Sequence, residues 1–360
     1  MNDSYTIFTE NPEEELWKTL LQYTYKSKIL KYFNKKSIIP DDSDNVCEII
    51  SGALLQANEY YQLSKKSSLQ TAPLLLYYGT INLVLGIATL ITGKTQRIEN
   101  HGMKIILDFD NKEVGNTRIK FLSLNTGGIH VFLNALNETN NLINSGEWNL
   151  RELMLSIPEI HVEAQQCYEN ADTFCFPLEK VITEDGEFER ISINGKTVSE
   201  INDALNEIIG FTESYLKPVI NQKNNEHDII LRHKFLKKPI DIKAYSGQSF
   251  LMRAHRKNGK LISLPQWAYM YIALFVLASL CRYYPQKWNP FIRLDDSGEK
   301  LVVDKFLGYT RRILPNIFLS KIEGKPFLFE NKKYSPENKI KILGEHEIKE
   351  LIEKTIAERR

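Results

Sequence analysis

Apolar residues recur along the first third of the chain at helical spacing. In residues 13–35 the apolar positions are Leu16, Leu20, Tyr23, Ile29, Leu30 and Phe33. Acids stand at the N-terminal end of that run and lysines at the other, and Pro12 sits just ahead of it. A polar loop around Pro40 follows. Residues 46–67 predict a second helix whose stripe is Ile49, Ile50, Ala53, Leu54, Ala57 and Tyr60. A third starts near Thr71, with Ser68 or Thr71 as cap and Pro73 in the first turn, and ends by Gly93. Its residues 74–91 are apolar on every side, as expected of the central helix of a core. A second stretch of this kind, residues 267–281, follows Pro265. Neither can bury all its sides alone, so the two are expected to share one core.

The middle of the chain changes period. Residues 103–109 and 119–124 carry strand-forming residues between Gly- and Asn-rich turns. Short helices are expected at 131–142 and 148–157, the latter stopped by Pro158. From 179 to 199, alternating runs surround Asp185-Gly186 and Asn194-Gly195, both hairpin signals, and a further hairpin turns at Asn258-Gly259. Residues 201–216 read as helix up to Pro218, 306–317 as helix, and the charged tail as a solvated amphipathic helix. The expected fold is α+β, mainly α: a helical core with inserted β hairpins. Three regions follow: 1–178, helical; 179–262, the β-hairpin insertion; and 263–360, helical and packing on the first.

Composition narrows the class. The chain has 360 residues, 25% of them charged, with 46 basic against 45 acidic side chains. Its 42% hydrophobic content excludes a mainly disordered chain. Net charge of +1 excludes a global basic field, though not a local basic patch. The N-terminus has no basic region followed by an apolar one, so a cytoplasmic location is expected and a secretory signal is not. Residues 74–91 reach the lower length of a membrane span, but Gly79, Asn82 and Gly86 interrupt them, so a buried soluble helix is expected. The four cysteines are too scattered for a disulfide framework or a zinc site. Dinucleotide, phosphate-loop, nucleophile-elbow and kinase signatures are absent, and no cofactor is expected.

Three arrangements could carry chemistry. The first is Arg97 with His101, just past the central helix. A histidine that moves a proton near neutral pH, beside an arginine that holds phosphate charge, can cleave RNA without metal. Asn82, polar inside an apolar helix, could point into that site or tie two helices together. Alternatively, Arg97 and His101 cap a helix end and fix the loop. The second is Glu226, Asp228, Asp241 and Lys243, acids and a lysine near strands, as metal-dependent nucleases use. The third is basic and aromatic: Arg232, Lys234, Arg253, Arg256, Lys257 and Arg282, with Tyr283 and Tyr284 beside the last. Such residues hold a phosphate backbone and stack bases, or else are solvated tips. Arg282, flanked by aromatics after an apolar helix, is expected to pair with a carboxylate or grip an anion.

The order and spacing of residues 54–90, the ENHG at 99–102, residues 264–288 and residues 306–319 resemble the YaaC-like protein family of bacteria, over roughly residues 12–330. That resemblance implies kinship without a settled activity. Residues 72–90, with paired Tyr77 and Tyr78 and then His101-Gly102, are also similar to the helical core of HEPN domains. Active members of that group are ribonucleases using an Arg and a His, many of them in toxin–antitoxin and anti-phage systems, and usually paired as dimers. Here three residues separate Arg97 from His101, fewer than in the active members. The leading expectation is therefore a protein–protein interaction or regulatory module in anti-phage defence, partnered by another protein or by a second copy as a homodimer. The alternatives are a HEPN-like metal-independent ribonuclease or RNA-binding protein, and a metal-dependent nuclease.

Overall fold

The structure, a computed structural model, describes residues 5–108, 113–122, 126–138, 141–168, 171–183, 186–194, 196–223, 226–234, 240, 242–244 and 247–330. In chain order the elements are β1 (Tyr5–Phe8), α1 (Pro12–Leu20), α2 (Lys26–Lys36), α3 (Ser43–Lys66), α4 (Ala72–Thr92), β2 (Met103–Ile106), β3 (Arg118–Phe121), α5 (Gly128–Ala135), β4 (Glu147–Asn149), α6 (Leu150–Leu155) and α7 (His161–Cys167). Then come β5 (Cys175–Thr183), β6 (Gly186–Asn194), α8 (Val198–Asn206), α9 (Phe211–Ser214), β7 (Val219–Lys223), β8 (Glu226–Leu231), β9 (Ile242–Lys243), β10 (Ser249–Met252), β11 (His255–Lys257) and β12 (Lys260–Ile262). The described chain closes with α10 (Gln266–Tyr283), α11 (Pro285–Leu294), α12 (Glu299–Glu323) and β13 (Phe327–Glu330). The fold is α+β and mainly α, as the periodicity implies.

Helices from both ends of the chain build the main core. It runs from Leu16 to Phe174, resumes at Ile262 and ends at Phe327. α3 and α4 lie against each other closely enough that a Cβ on Gly79 would stand 2.8 Å from Tyr61 Cδ2, and one on Gly86 3.1 Å from Leu54 Cγ. Glycine is what lets these two backbones approach. α4 is long and apolar enough to cross a membrane, with a mean hydropathy of 1.9, and 61% of that window is buried inside the molecule. α10 packs on α4 with Tyr271 and Phe275 against Tyr77, ring centroids 5.6 and 5.7 Å apart. β1 pairs in parallel with β13, joining the two ends of the described chain.

The insertion forms a six-stranded sheet of order β7-β8-β6-β5-β10-β9, with its own smaller core under α8 and α9. The hairpin read around 185–186 is β5–β6, with Thr183 opposite Gly186; that at Asn258-Gly259 is β11–β12, with Asn258 at φ 48 and Gly259 at φ 74. Several expectations change in detail. Residues 13–35 split into α1, a 3-10 turn and α2, because Tyr25 takes an extended conformation. The helix expected at 131–142 begins at Gly128 and ends at Ala135, with Asn137 at φ 55 beyond it. Trp148 lies on β4, and α6 starts only at Leu150, where Asn149 accepts the Glu152 N–H as cap. Past Asn194 the next element among the described residues is α8, entered through a Thr197–Glu200 capping box, in place of the second strand of a hairpin. The amphipathic tail lies outside the described residues.

Candidate functional site

The loop after α4 is held on one side by the start of α5. Gly93 ends the helix in the left-handed region, at φ 68. The Glu99 N–H then donates to Thr126 O (3.1 Å), Gly128 N–H to Asn100 O (2.8 Å) and Ile129 N–H to His101 O (3.3 Å). Asn100 Oδ1 accepts the Gly102 N–H at 2.8 Å, closing a turn in which Gly102 takes φ +75. A Cβ on Gly102 would lie 3.0 Å from Gly127 Cα. His101 is thereby fixed at its backbone, and its ring turns back onto α4. Its Nδ1 lies 2.9 Å from the Tyr77 hydroxyl, and its ring centroid 5.5 Å from both Tyr77 and Phe275.

Arg97 does not join it. Its side chain is 83% exposed and pairs with Glu99 at 2.6 Å. The arginine that shares a pocket with His101 is Arg282, in the last turn of α10, where a cation suits the helix dipole. Its guanidinium donates to the Tyr78 hydroxyl and lies 5.9 Å from the Tyr78 ring centroid and 4.9 Å from that of Tyr283. His101, Arg282, Tyr77, Tyr78, Phe275 and Tyr283 line one small pocket at the surface, about 20 Å³ in volume. Burial lowers the His101 pKa, and the charge of Arg282 lowers it further. At neutral pH the site therefore presents a neutral imidazole, a fixed cation and exposed aromatic faces. Asn82 is half-buried and donates from Nδ2 to Tyr78 O within its own helix (3.0 Å).

The remaining basic candidates are dispersed and largely compensated. Arg253 donates to Glu207 (2.6 Å) and Asp172 (3.0 Å), and Arg256 to Glu207 (2.8 Å). Lys257 donates to Glu152 (2.6 Å) and lies 5.0 Å from the Trp148 ring centroid. Lys234 bonds the Thr212 carbonyl, and Arg232 is exposed. His255, beside these cations, is a core residue: its ring stacks on Phe174 at 4.0 Å, its Nε2 lies 2.8 Å from Ser156 Oγ, and burial pushes its pKa down to about 3.

The described members of the acidic arrangement stand on two strands of the sheet. Glu226 and Asp228 stand on β8 and Lys243 on β9, with β6, β5 and β10 between. Four strand spacings make about 19 Å of backbone separation. Asp228 accepts the Ser192 hydroxyl at 3.1 Å, and Asp241 lies outside the described residues. Among the described residues no three His, Cys, Asp or Glu side chains come together to hold a metal, and the four cysteines are free.

Reading by sequence missed Tyr271, Phe275 and the partnership of Arg282 with His101. The signal is the spacing of Tyr271, Phe275, Ala278 and Arg282, which places them along one face of a helix. In an all-apolar helix that face looks like any other.

The family model described as YaaC-like Protein matches residues 14–322. No curated protein and no solved structure matches the chain.

Proposed function

This chain belongs to the YaaC-like protein family, and on that premise we propose that it is an RNA-directed protein whose working site is the pocket of His101 and Arg282. One observation carries the reading: the His101 imidazole and the Arg282 guanidinium line the same surface pocket, flanked by Tyr78 and Tyr283. Arg282 binds the phosphate, the tyrosines receive unstacked bases, and His101 takes the proton of a 2′-hydroxyl as its oxygen bonds to the adjacent phosphorus; the P–O5′ bond breaks, the 5′-oxygen takes a proton from water, and His101 returns its own to solvent. The reaction is metal-independent cleavage, leaving a cyclic phosphate and a free 5′-hydroxyl. Incubation of purified full-length protein with mixed single-stranded RNA and excess chelator tests it. Cleavage that persists in chelator and is lost in His101→Ala is expected; chelator-sensitive cleavage, or cleavage unaffected by that substitution, contradicts it.

A protein-interaction or regulatory role, in anti-phage defence among others, is the second reading. Its support is that Arg253, Arg256 and Lys257 are engaged in ion pairs, while α3 leaves Leu55 and Leu63 exposed and α4 leaves Leu75, Ile81 and Leu85 half-buried. Such a surface suits a second copy of the chain. Sedimentation across a range of protein concentrations tests that reading: a reversible homodimer is expected, and a monomer at every concentration contradicts it.

A further inference from the structure

A phenol in the core must find a partner for its hydroxyl. Tyr77 is 3% exposed, enclosed by the rings of Tyr271, Phe275, Tyr78 and His101. Its hydroxyl meets His101 Nδ1 at 2.9 Å on one side and interacts with the Tyr271 hydroxyl on the other. Tyr271 is itself 1% exposed, on the stretch of α10 that faces α4. The three groups form a line from the core to the pocket: Tyr271, Tyr77, His101. Tyr77 engages Nδ1 and so leaves Nε2, the far nitrogen of the ring, to another partner.

We propose that Tyr77 is a positioning residue that holds His101 in the tautomer with its proton on Nδ1. The Nδ1–H donates to the Tyr77 oxygen, and the Tyr77 O–H donates to the Tyr271 oxygen. Nε2 is then a bare acceptor, the form a proton-abstracting base requires. A neutral histidine has one N–H, so the hydrogen bond at one nitrogen decides the state of the other. The inference rests on the RNA reading above for its purpose, and on the Tyr271–Tyr77–His101 line for its geometry. The other groups facing the ring are the charge of Arg282 and the apolar ring of Phe275.

The tautomer can be observed in the free protein, without RNA. Full-length chain labelled with ¹⁵N-histidine is recorded by long-range ¹H–¹⁵N correlation at pH 7.5, with His101→Ala to assign the signal. In the wild type the Nδ1 resonance is expected in the protonated range and the Nε2 resonance in the bare range. In Tyr77→Phe the pattern is expected to reverse or average, and RNA cleavage to fall about 100-fold, with RNA affinity within about twofold because Arg282 and Tyr78 remain. Tyr271→Phe removes the oxygen that accepts the Tyr77 O–H and frees that proton for Nδ1, so it is expected to move the histidine proton to Nε2; it serves if Tyr77→Phe does not fold, and an unchanged tautomer there overturns the inference. An Nε2–H tautomer in the wild type overturns the inference, as does an unchanged tautomer in Tyr77→Phe. Absence of cleavage by the wild type overturns the RNA reading instead, and the ¹⁵N pattern tells the two failures apart.

Discussion

The hydroxyl of Tyr77, on the most apolar helix of the molecule, lies 2.9 Å from Nδ1 of His101, on the loop that follows the same helix. The contact turns a surface loop residue inward and lowers its pKa through burial, with the Arg282 charge adding to the effect. A base with a lowered pKa stays neutral further into acid. The acid limb of the pH–rate profile of RNA cleavage is therefore expected to have its midpoint below 6.5, the ordinary histidine value. An acid limb with its midpoint at or above 6.5 would show that His101 is not the titrating group.

Gly102 sets the geometry of the loop. At φ +75, and with Gly127 Cα 3.0 Å from where a Cβ would stand, Gly102→Ala is expected to lose about 1–2 kcal/mol of stability. It should also weaken RNA cleavage by more than that loss explains at temperatures where the variant is fully folded. Thermal denaturation and activity at low temperature separate the two effects.

Glu299 joins two distant parts of the chain. From the first turn of α12 its carboxylate accepts the N–H groups of Val114 and Gly115, each at 2.8 Å, and it is 1% exposed. Burial holds its pKa above the ordinary carboxylate range, although both N–H groups favour the charged form. Glu299→Ala leaves two buried N–H groups without their acceptor and is expected to destabilise by about 2–4 kcal/mol, read as a lower urea midpoint. The sign of its pH effect follows from the raised pKa. The folded state holds the proton more tightly than the unfolded one, so the Glu299 contribution is greatest below pH 4.5 and falls as pH rises through the folded value. The stability difference between wild type and Glu299→Gln should therefore narrow or reverse with rising pH across that window.

His255 has the opposite sign. Its pKa of about 3 in the fold lies below the ordinary 6.5, so between those values the unfolded chain takes a proton that the folded chain refuses. The stability it contributes is complete above pH 6.5 and is lost progressively as pH falls toward 3. His255→Gln is expected to flatten the acid limb of stability against pH, measured by urea midpoints from pH 7 to 4. An unchanged slope would place the acid sensitivity elsewhere.

The helical core was legible because its signals are local. Pro73 and Gly93 bracket α4, Pro265 precedes α10, and Asn258-Gly259 marks its hairpin by backbone conformation alone. The candidate site was legible only in halves. His101, Tyr77, Tyr78 and Arg282 each stand out by residue type, yet sequence proximity joined His101 to Arg97, which pairs with Glu99 and faces solvent. The arginine that shares its pocket comes from the other end of the core, and only the packing of α10 on α4 supplies that neighbour. The basic run at Arg253, Arg256 and Lys257 misled for the same reason. Its counter-charges, Glu207, Asp172 and Glu152, are distant in sequence and close in space.

The most direct measurement is the affinity of the full-length chain for a short fluorescent single-stranded RNA, by anisotropy in chelator, comparing wild type with Arg282→Ala and Arg97→Ala. The account predicts saturable binding by the wild type, weakened roughly tenfold by Arg282→Ala through loss of one charged phosphate contact, and unchanged by Arg97→Ala. No saturable binding by the wild type, or equal binding by wild type and Arg282→Ala, would contradict it.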